Sequence, residues 1–293
     1  MSDLTEDASS LTDEQPSVID LPTGFYRHIE PSAYYARHLG LARTSTLRLV
    51  SRSAAHYRAW LDGATDDEDT PALAFGRAFH FAALEPEKFA LDYAVERNDF
   101  GDCRKTENKR ERDAWRAQVA GRELLSAKDA ATTCAMVGRV MAHPVLGAAF
   151  GGDALAEVTL RWDDEQTGLP CLARPDLWVP TLATVFDLKS CRDAREGPFG
   201  RDVASHCYHW QEAHYRAGFE AIGWPIEHFV FAAVEKTPPY EIGLWELDES
   251  ALIVGRMSVR EHMSTLARCS VSNTFEGYPT GIRRLKLAPW VKE

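Results

Sequence analysis

The chain has 293 residues, 45% of them hydrophobic and 26% charged, enough for one large buried core or two small ones and ordinary for a globular protein. A net charge of −11 argues against a protein that holds nucleic acid by bulk attraction. With no run of about 18 apolar residues and no charged-then-apolar start, the sequence predicts neither a membrane span nor a signal peptide, and hence a cytoplasmic protein.

The acidity is local. Asp3, Glu6, Asp7, Asp13, Glu14 and Asp20 stand in the first twenty residues, and Asp62, Asp66, Asp67, Glu68 and Asp69 in a second segment; these eleven acids equal the whole net charge. Residues 1–22 read as a disordered acidic arm, and Asp62 to Thr70 as an acidic loop. From Pro31 to Leu61 the pattern is helical, with Thr44 or Ser45 as N-cap of one helix and His56 to Leu61 in the next. The apolar run Pro71 to Leu84 fits a buried helix and carries Gly76 and, four residues on, His80. Leu91 to Val95 reads as a short strand.

Residues 104–122 hold Arg104, Lys105, Lys109, Arg110, Arg112, Arg116 and Arg122, interleaved with Glu107, Glu111 and Asp113. Two readings stay open: a solvated helix laced with ion pairs, or a face that tracks phosphates. Ser126 to Met141 reads as a helix ended by His143-Pro144. Strands follow over Leu155 to Trp162, Leu169 to Ala173, Leu177 to Val179 and Thr184 to Lys189, the first two joined by a turn at 164–168. Alternation puts Glu157 with Thr159 and Arg161, opposite Val158 and Leu160; it is a candidate metal ligand or a structural residue. A helix from Tyr208 to Gly223, strands Ile226 to Glu235 and Tyr240 to Leu247, and a helix from Glu249 to Arg268 complete an α/β pattern with a mixed sheet.

The chemistry concentrates on Pro175-Asp176 and Asp187-Leu188-Lys189. Pro180-Thr181-Leu182 between them makes a hairpin, on which Val185, Asp187 and Lys189 share one face and Phe186 and Leu188 the other. Asp-x-Lys alone is also what a solvated strand with an ion pair looks like. Two carboxylates at one end of a hairpin, however, suit Mg²⁺, and a neighbouring lysine can orient or deprotonate a water. Gln211 and Tyr215, four apart, share a helical face. The six cysteines show no Cys-x-x-Cys spacing. His206, Cys207, His209 and His214 on one helix would point in different directions and predict no zinc site.

In this order, Thr44 to Leu49 with Ser53, Gly76 to His80 with Ala83 to Pro86, Arg174-Pro175-Asp176, Phe186 to Ser190, Trp210-Gln211 to Tyr215 and Leu285 to Trp290 resemble the RecB-type branch of the PD-(D/E)xK nucleases. The resemblance is closest to the RecE-type nuclease domain of exodeoxyribonuclease VIII. It implies a PD-(D/E)xK core, a central mixed sheet flanked by helices, as a single domain over 23–293. That domain would be helical over 31–150, with the catalytic sheet over 151–250 and a closing helix and tail over 249–293. It further implies Mg²⁺, replaceable by Mn²⁺, on His80, Asp176, Asp187 and the Leu188 carbonyl; Lys189 positioning the water; and Gln211 and Tyr215 contacting DNA. Relatives with an iron-sulfur cluster carry four cysteines, whereas only Cys269 lies near this C-terminus, so none is expected. The activity implied is 5′ to 3′ digestion of linear double-stranded DNA by a ring-like trimer or tetramer. The 3′ overhangs it leaves would pass to a RecT-type annealing protein. The alternatives are a DNA endonuclease and a catalytically silent DNA-end-binding scaffold.

Overall fold

A computed structural model describes residues 17–65, 70–102 and 104–285. A 3₁₀ turn at Val18–Asp20 leads into β1 (Gly24–Tyr26), followed by α1 (Pro31–Tyr34), α2 (Thr44–Arg52) and α3 (Ala54–Leu61). Next come α4 (Pro71–Leu84), α5 (Pro86–Asp92), β2 (Tyr93–Val95), α6 (Thr106–Gln118), β3 (Glu123–Leu125), α7 (Ala127–Ala142) and α8 (Pro144–Phe150). The sheet region holds β4 (Leu155–Ala156), β5 (Thr159–Asp163), β6 (Pro170–Ala173), β7 (Leu177–Val179) and β8 (Thr184–Cys191). Then follow α9 (Glu196–Ser205), α10 (Tyr208–Ala221), β9 (His228–Glu235), β10 (Ile242–Trp245) and α11 (Glu249–Ser272).

The principal sheet runs β10-β9-β8-β7-β4, with β8 and β9 parallel and the other pairs antiparallel, so it is mixed as the sequence predicts. Its two faces follow from strand alternation. Val185, Phe229 and Phe231 join Trp178, Phe219 of α10 and Leu266 of α11 in one core. Phe186, Leu188, Ala232 and Val234 meet Phe79 of α4 and Met136 and Val140 of α7 in the other. Each of these large side chains, fully buried, contributes about 1.5–3 kcal/mol. The α10–α11 contact is close because Gly255 of α11 sits against the His209 carbonyl, which an added Cβ would meet at 2.2 Å.

The helix that carries His80 has the predicted limits. Thr70 accepts the Leu73 amide at 3.3 Å and Pro71 occupies the first turn, where no intrahelical donor is needed. Ser126 likewise caps α7, through the Asp129 amide at 3.0 Å. The α2 cap differs from expectation. It is Arg43, whose amide donates to Thr46 Oγ1 at 2.8 Å while its buried guanidinium reaches the carbonyls of Tyr34 and Ala36.

The single strand expected over 155–162 is in fact two. β4 pairs with β7 in the principal sheet, whereas β5 lies in a separate sheet of order β1-β5-β6, and the chain breaks between them at Glu157. Val18, within the 1–22 segment expected to be a disordered arm, is buried against Tyr34, Leu41 and Leu172. Residues 1–16, the acids at 66–69 and the Lys286 to Trp290 part of the last motif lie outside the described residues. β1, β3, α5, α8 and α9 were not anticipated. No single helix among the described residues is long and apolar enough to cross a membrane.

Candidate active site

The site forms where β7 begins later along the sheet than β8 continues. Leu177 pairs with Phe186, so Asp176 stands beside Asp187, and Leu188 has no backbone partner on the β7 side. The Asp176 carboxylate fills that place: Oδ2 accepts the Leu188 amide at 2.6 Å. The amide and carbonyl of one strand residue point the same way, so the Leu188 carbonyl faces the same open edge.

Besides β8, two segments converge on Asp176. From α4, His80 Nδ1 lies 3.5 Å from Asp176 Oδ1. From the β4–β5 break, Glu157 donates its amide to the Asp176 carbonyl at 3.1 Å, with φ at +52°. This left-handed residue redirects the chain and aims its side chain at the cluster, as bulges beside active sites do. Ligand atoms of His80, Glu157 and Asp176 all lie within 4.8 Å of one another. An octahedral Mg²⁺ with bonds of about 2.1 Å separates its ligands by roughly 3–4 Å, so small rotations suffice. One imidazole and two carboxylates fit a divalent cation that is mainly oxygen-bound.

Asp187 stands beside this cluster and not in it, which differs from the ligand set the resemblance implied. Its side chain has no exposed surface, one oxygen contacts the Lys189 ammonium, and the other accepts Gln211 Nε2 at 2.6 Å. Tyr208, Gln211 and Tyr215 of α10 lie at i, i+3 and i+7 on one face and run along the site. The Tyr208 ring lies 4.7 Å from Lys189 Nζ, Gln211 holds Asp187, and Tyr215 donates to the Arg174 carbonyl at 3.2 Å. Tyr215, for which the resemblance implied a DNA contact, is 8% exposed, and its hydroxyl braces the corner leading into Asp176. Gln211 is occupied in the same way. Tyr208 was missed, although its position three residues before Gln211 was the available signal. His214 is buried at 1% exposure with Nε2 3.1 Å from the Leu172 carbonyl, and burial pushes its imidazole down to about 4.

The site's protonation follows from this packing. Burial pulls the His80 imidazole down, yet the charge and hydrogen bond of Asp176 outweigh it and lift His80 to about 9. Burial, reinforced by Asp176, raises the Glu157 carboxyl to about 8. Burial would raise Asp176 as well, but His80, Lys189 and the Leu188 amide hold it below the usual carboxylate range. Burial lifts Asp187 to about 6 against the pull of Lys189. Lys189 in turn stays above the ordinary lysine value, because Asp187 and Asp176 overcome its burial. The packing thus favours a proton on His80 and on Glu157 and the ionised form of Asp176.

The sequence over residues 44–279 matches the family described as PDDEXK-like domain of unknown function (DUF3799). The chain belongs to this family. Among solved structures it is similar to one named "Putative exonuclease" from Eubacterium rectale, at 14% identity and a TM-score of 0.58, covering 89% of this chain and 96% of that one. That likeness shows the fold, and together with the family match it identifies the α/β core as PD-(D/E)xK-like. No curated protein matches the sequence.

Cation binding should therefore be strongly pH-dependent. A metal takes neutral imidazole and ionised carboxylate, so protons on His80 and Glu157 must leave when it binds. Mn²⁺ affinity is expected to rise roughly ten- to hundredfold per pH unit from 6 toward 8, and to level off above about 9. Calorimetry in buffers of different ionisation enthalpy checks this; a pH-independent affinity with no proton release would refute the assignment.

Proposed function

We propose that this protein is a metal-dependent DNA exonuclease of the RecE type that digests linear duplex DNA from 5′ ends. The 3′ strands it leaves would be loaded by a RecT-type annealing partner. The observation that carries the nuclease reading is the His80–Glu157–Asp176 cluster set beside a buried Asp187–Lys189 pair on β8, in a chain of the PDDEXK-like family. The exonuclease name of the structural neighbour is in keeping with it.

His80, Glu157 and Asp176, with the Leu188 carbonyl, would hold the cation. When bound, the cation supplies charge withdrawal from the scissile phosphate and acidification of water. Lys189 keeps its proton beside Asp187, so it acts as a donor that orients the attacking water and not as the base that deprotonates it. Asp187 fixes the lysine, Gln211 fixes Asp187, and the Tyr208 ring lies against the lysine's ammonium. Tyr215 and Arg174 hold the β6–β7 corner: the Arg174 guanidinium stacks 4.1 Å from the Tyr34 ring centre and donates to the Ile29 carbonyl at 2.8 Å. Being nearly neutral outside its acidic segments, the chain has little bulk attraction to keep it on DNA through many cuts, and a ring-like homo-oligomer that encloses the duplex would supply the retention.

The experiment is digestion of linear duplex labelled at either the 5′ or the 3′ terminus, with Mg²⁺, and light scattering on the same sample. Early release of 5′ label by a species of three or four subunits is expected. Early release of 3′ label, or a monomer stopped at once by excess unlabelled DNA, would overturn the polarity and the ring.

A further inference from the structure

We propose that one face of α6 is a phosphate-backbone rail that grips the nucleic acid outside the cleavage site; this rests on the nuclease reading above. Lys105, at the N-cap of α6, and Lys109, Arg112 and Arg116 recur at spacings of four, three and four residues. At 3.6 residues per turn they fall within an arc of about 60° and extend over about 16 Å. Nucleic acid carries one phosphate charge per roughly 3.4 Å of each strand, so the rail matches about five phosphates.

The helix separates its charges by face. Glu107 and Glu111 lie on the side opposite the rail, where Glu111 accepts Arg97 Nη2 at 3.0 Å. Arg97 in turn lies 4.7 Å from the Phe100 ring centre, and Phe100 packs on Trp115 at 5.7 Å, which fixes the inward side of α6. Arg112 Nη2 donates to Asp113 at 2.8 Å, whereas no ion pair among the described residues engages Lys105, Lys109 or Arg116, all of them exposed. Asp113 is the acid nearest the rail; it is held below its usual range by the Arg112 hydrogen bond, with Lys109 and Arg116 adding to it.

A helix built only for solubility gains from alternating signs at i and i+4. This one sets like charges at that spacing three times, at 105 with 109, 112 with 116 and 107 with 111, against one opposite pair, 109 with 113. The packed side of α6 is the one that carries Trp115, off the basic face, and no residue of the helix is fully buried, so core packing does not explain the basic stripe. A polyanion on the basic face relieves the repulsion. The rail is anchored to the site through β3, which follows α6. Glu123 accepts Arg77 of α4 at 2.8 Å, and Leu125 and Tyr93 pack on Ala78, two residues from His80.

The test measures binding of a fluorescent 20-base-pair duplex by anisotropy, in EDTA so that nothing is cut, across a series of salt concentrations. Three proteins are compared: the parent, the triple variant Lys105→Ala/Lys109→Ala/Arg116→Ala, which removes three charges, and Arg110→Ala, which removes one charge from another face of the same helix, the slopes being compared per charge removed. The triple variant is expected to bind at least about tenfold more weakly at 100 mM salt, with the slope of log K against log salt reduced by about 2 to 3. Its loss in Mg²⁺-dependent cleavage should fall on KM. Arg110→Ala should shift the slope by less than about 0.5. Removing like-charge repulsion should leave thermal stability equal or higher, so weaker binding cannot come from unfolding. An unchanged slope in a parent that binds and cuts DNA would overturn the rail alone, as would an equal effect per charge from Arg110→Ala. A parent that binds no DNA would overturn both the rail and the nuclease reading.

Discussion

Lys189→Met is expected to lower metal-dependent cleavage by at least about a hundredfold, the scale of losing one positioned donor in a preorganised site. The methionine keeps the stem and removes the ammonium that lies against the Tyr208 ring and contacts Asp187. Asp187 is then left buried without its countercharge, and breaking such a pair costs about 3–5 kcal/mol. The sign of the pH dependence follows. Asp187 is raised to about 6 by burial, so it binds its proton more tightly in the folded state; its contribution is present at low pH and lost as pH rises through that value. Without Lys189 that window moves upward, so the stability gap to the parent should be narrow at pH 5.5 and wide at pH 8. Adding Asp187→Asn should restore most of the lost melting temperature and none of the activity. Recovered cleavage in the double variant would show that Lys189 serves only the fold.

Asp176→Asn is expected to weaken Mn²⁺ binding by about a hundredfold or more, because it removes one of two carboxylates from the cluster. Its amide oxygen can still accept the Leu188 amide, so the β7–β8 edge is retained. The charge of Asp176 lifts His80 and adds to the rise of Glu157, so both should return toward ordinary values. The pH dependence of the residual Mn²⁺ affinity should consequently flatten, a change that simple loss of a ligand elsewhere would not cause. Electron paramagnetic resonance titrations at pH 6.5 and 8.5 measure it. Affinity within about threefold of the parent, with an unchanged slope, would remove Asp176 from the cation site.

The parts of this site that could be read from the sequence are those fixed by neighbours in the chain. The β7–β8 hairpin needs only a three-residue turn, and period-two alternation then assigns Asp187 and Lys189 to one face and Phe186 and Leu188 to the core. The α4 limits were legible because Thr70 and Pro71 are local signals. His143-Pro144 ends α7 as the sequence predicts, but Pro144 also opens α8, and Pro86 opens α5 in the same way; a proline marks a boundary without saying what lies beyond it. Glu157 could not be placed by alternation, which assumes a continuous strand. Its direction comes from a positive φ stabilised by the Asp176 carbonyl, a contact nineteen residues away. Tyr215 shows the complementary gap: periodicity gave its face but not its depth, and depth decides whether a hydroxyl meets a substrate or the protein's own backbone.

In the proposed mechanism, cleavage depends on a cation held by His80, Glu157 and Asp176. The most direct measurement incubates end-labelled linear duplex and a closed circular plasmid side by side with parent and Glu157→Gln, in Mg²⁺, in Mn²⁺ and in EDTA. Degradation of the linear DNA by the parent in either metal, survival of the circle, none in EDTA, and a loss of at least about a hundredfold in Glu157→Gln is the predicted result. Cleavage that persists in EDTA, or a Glu157→Gln variant as active as the parent, would contradict it.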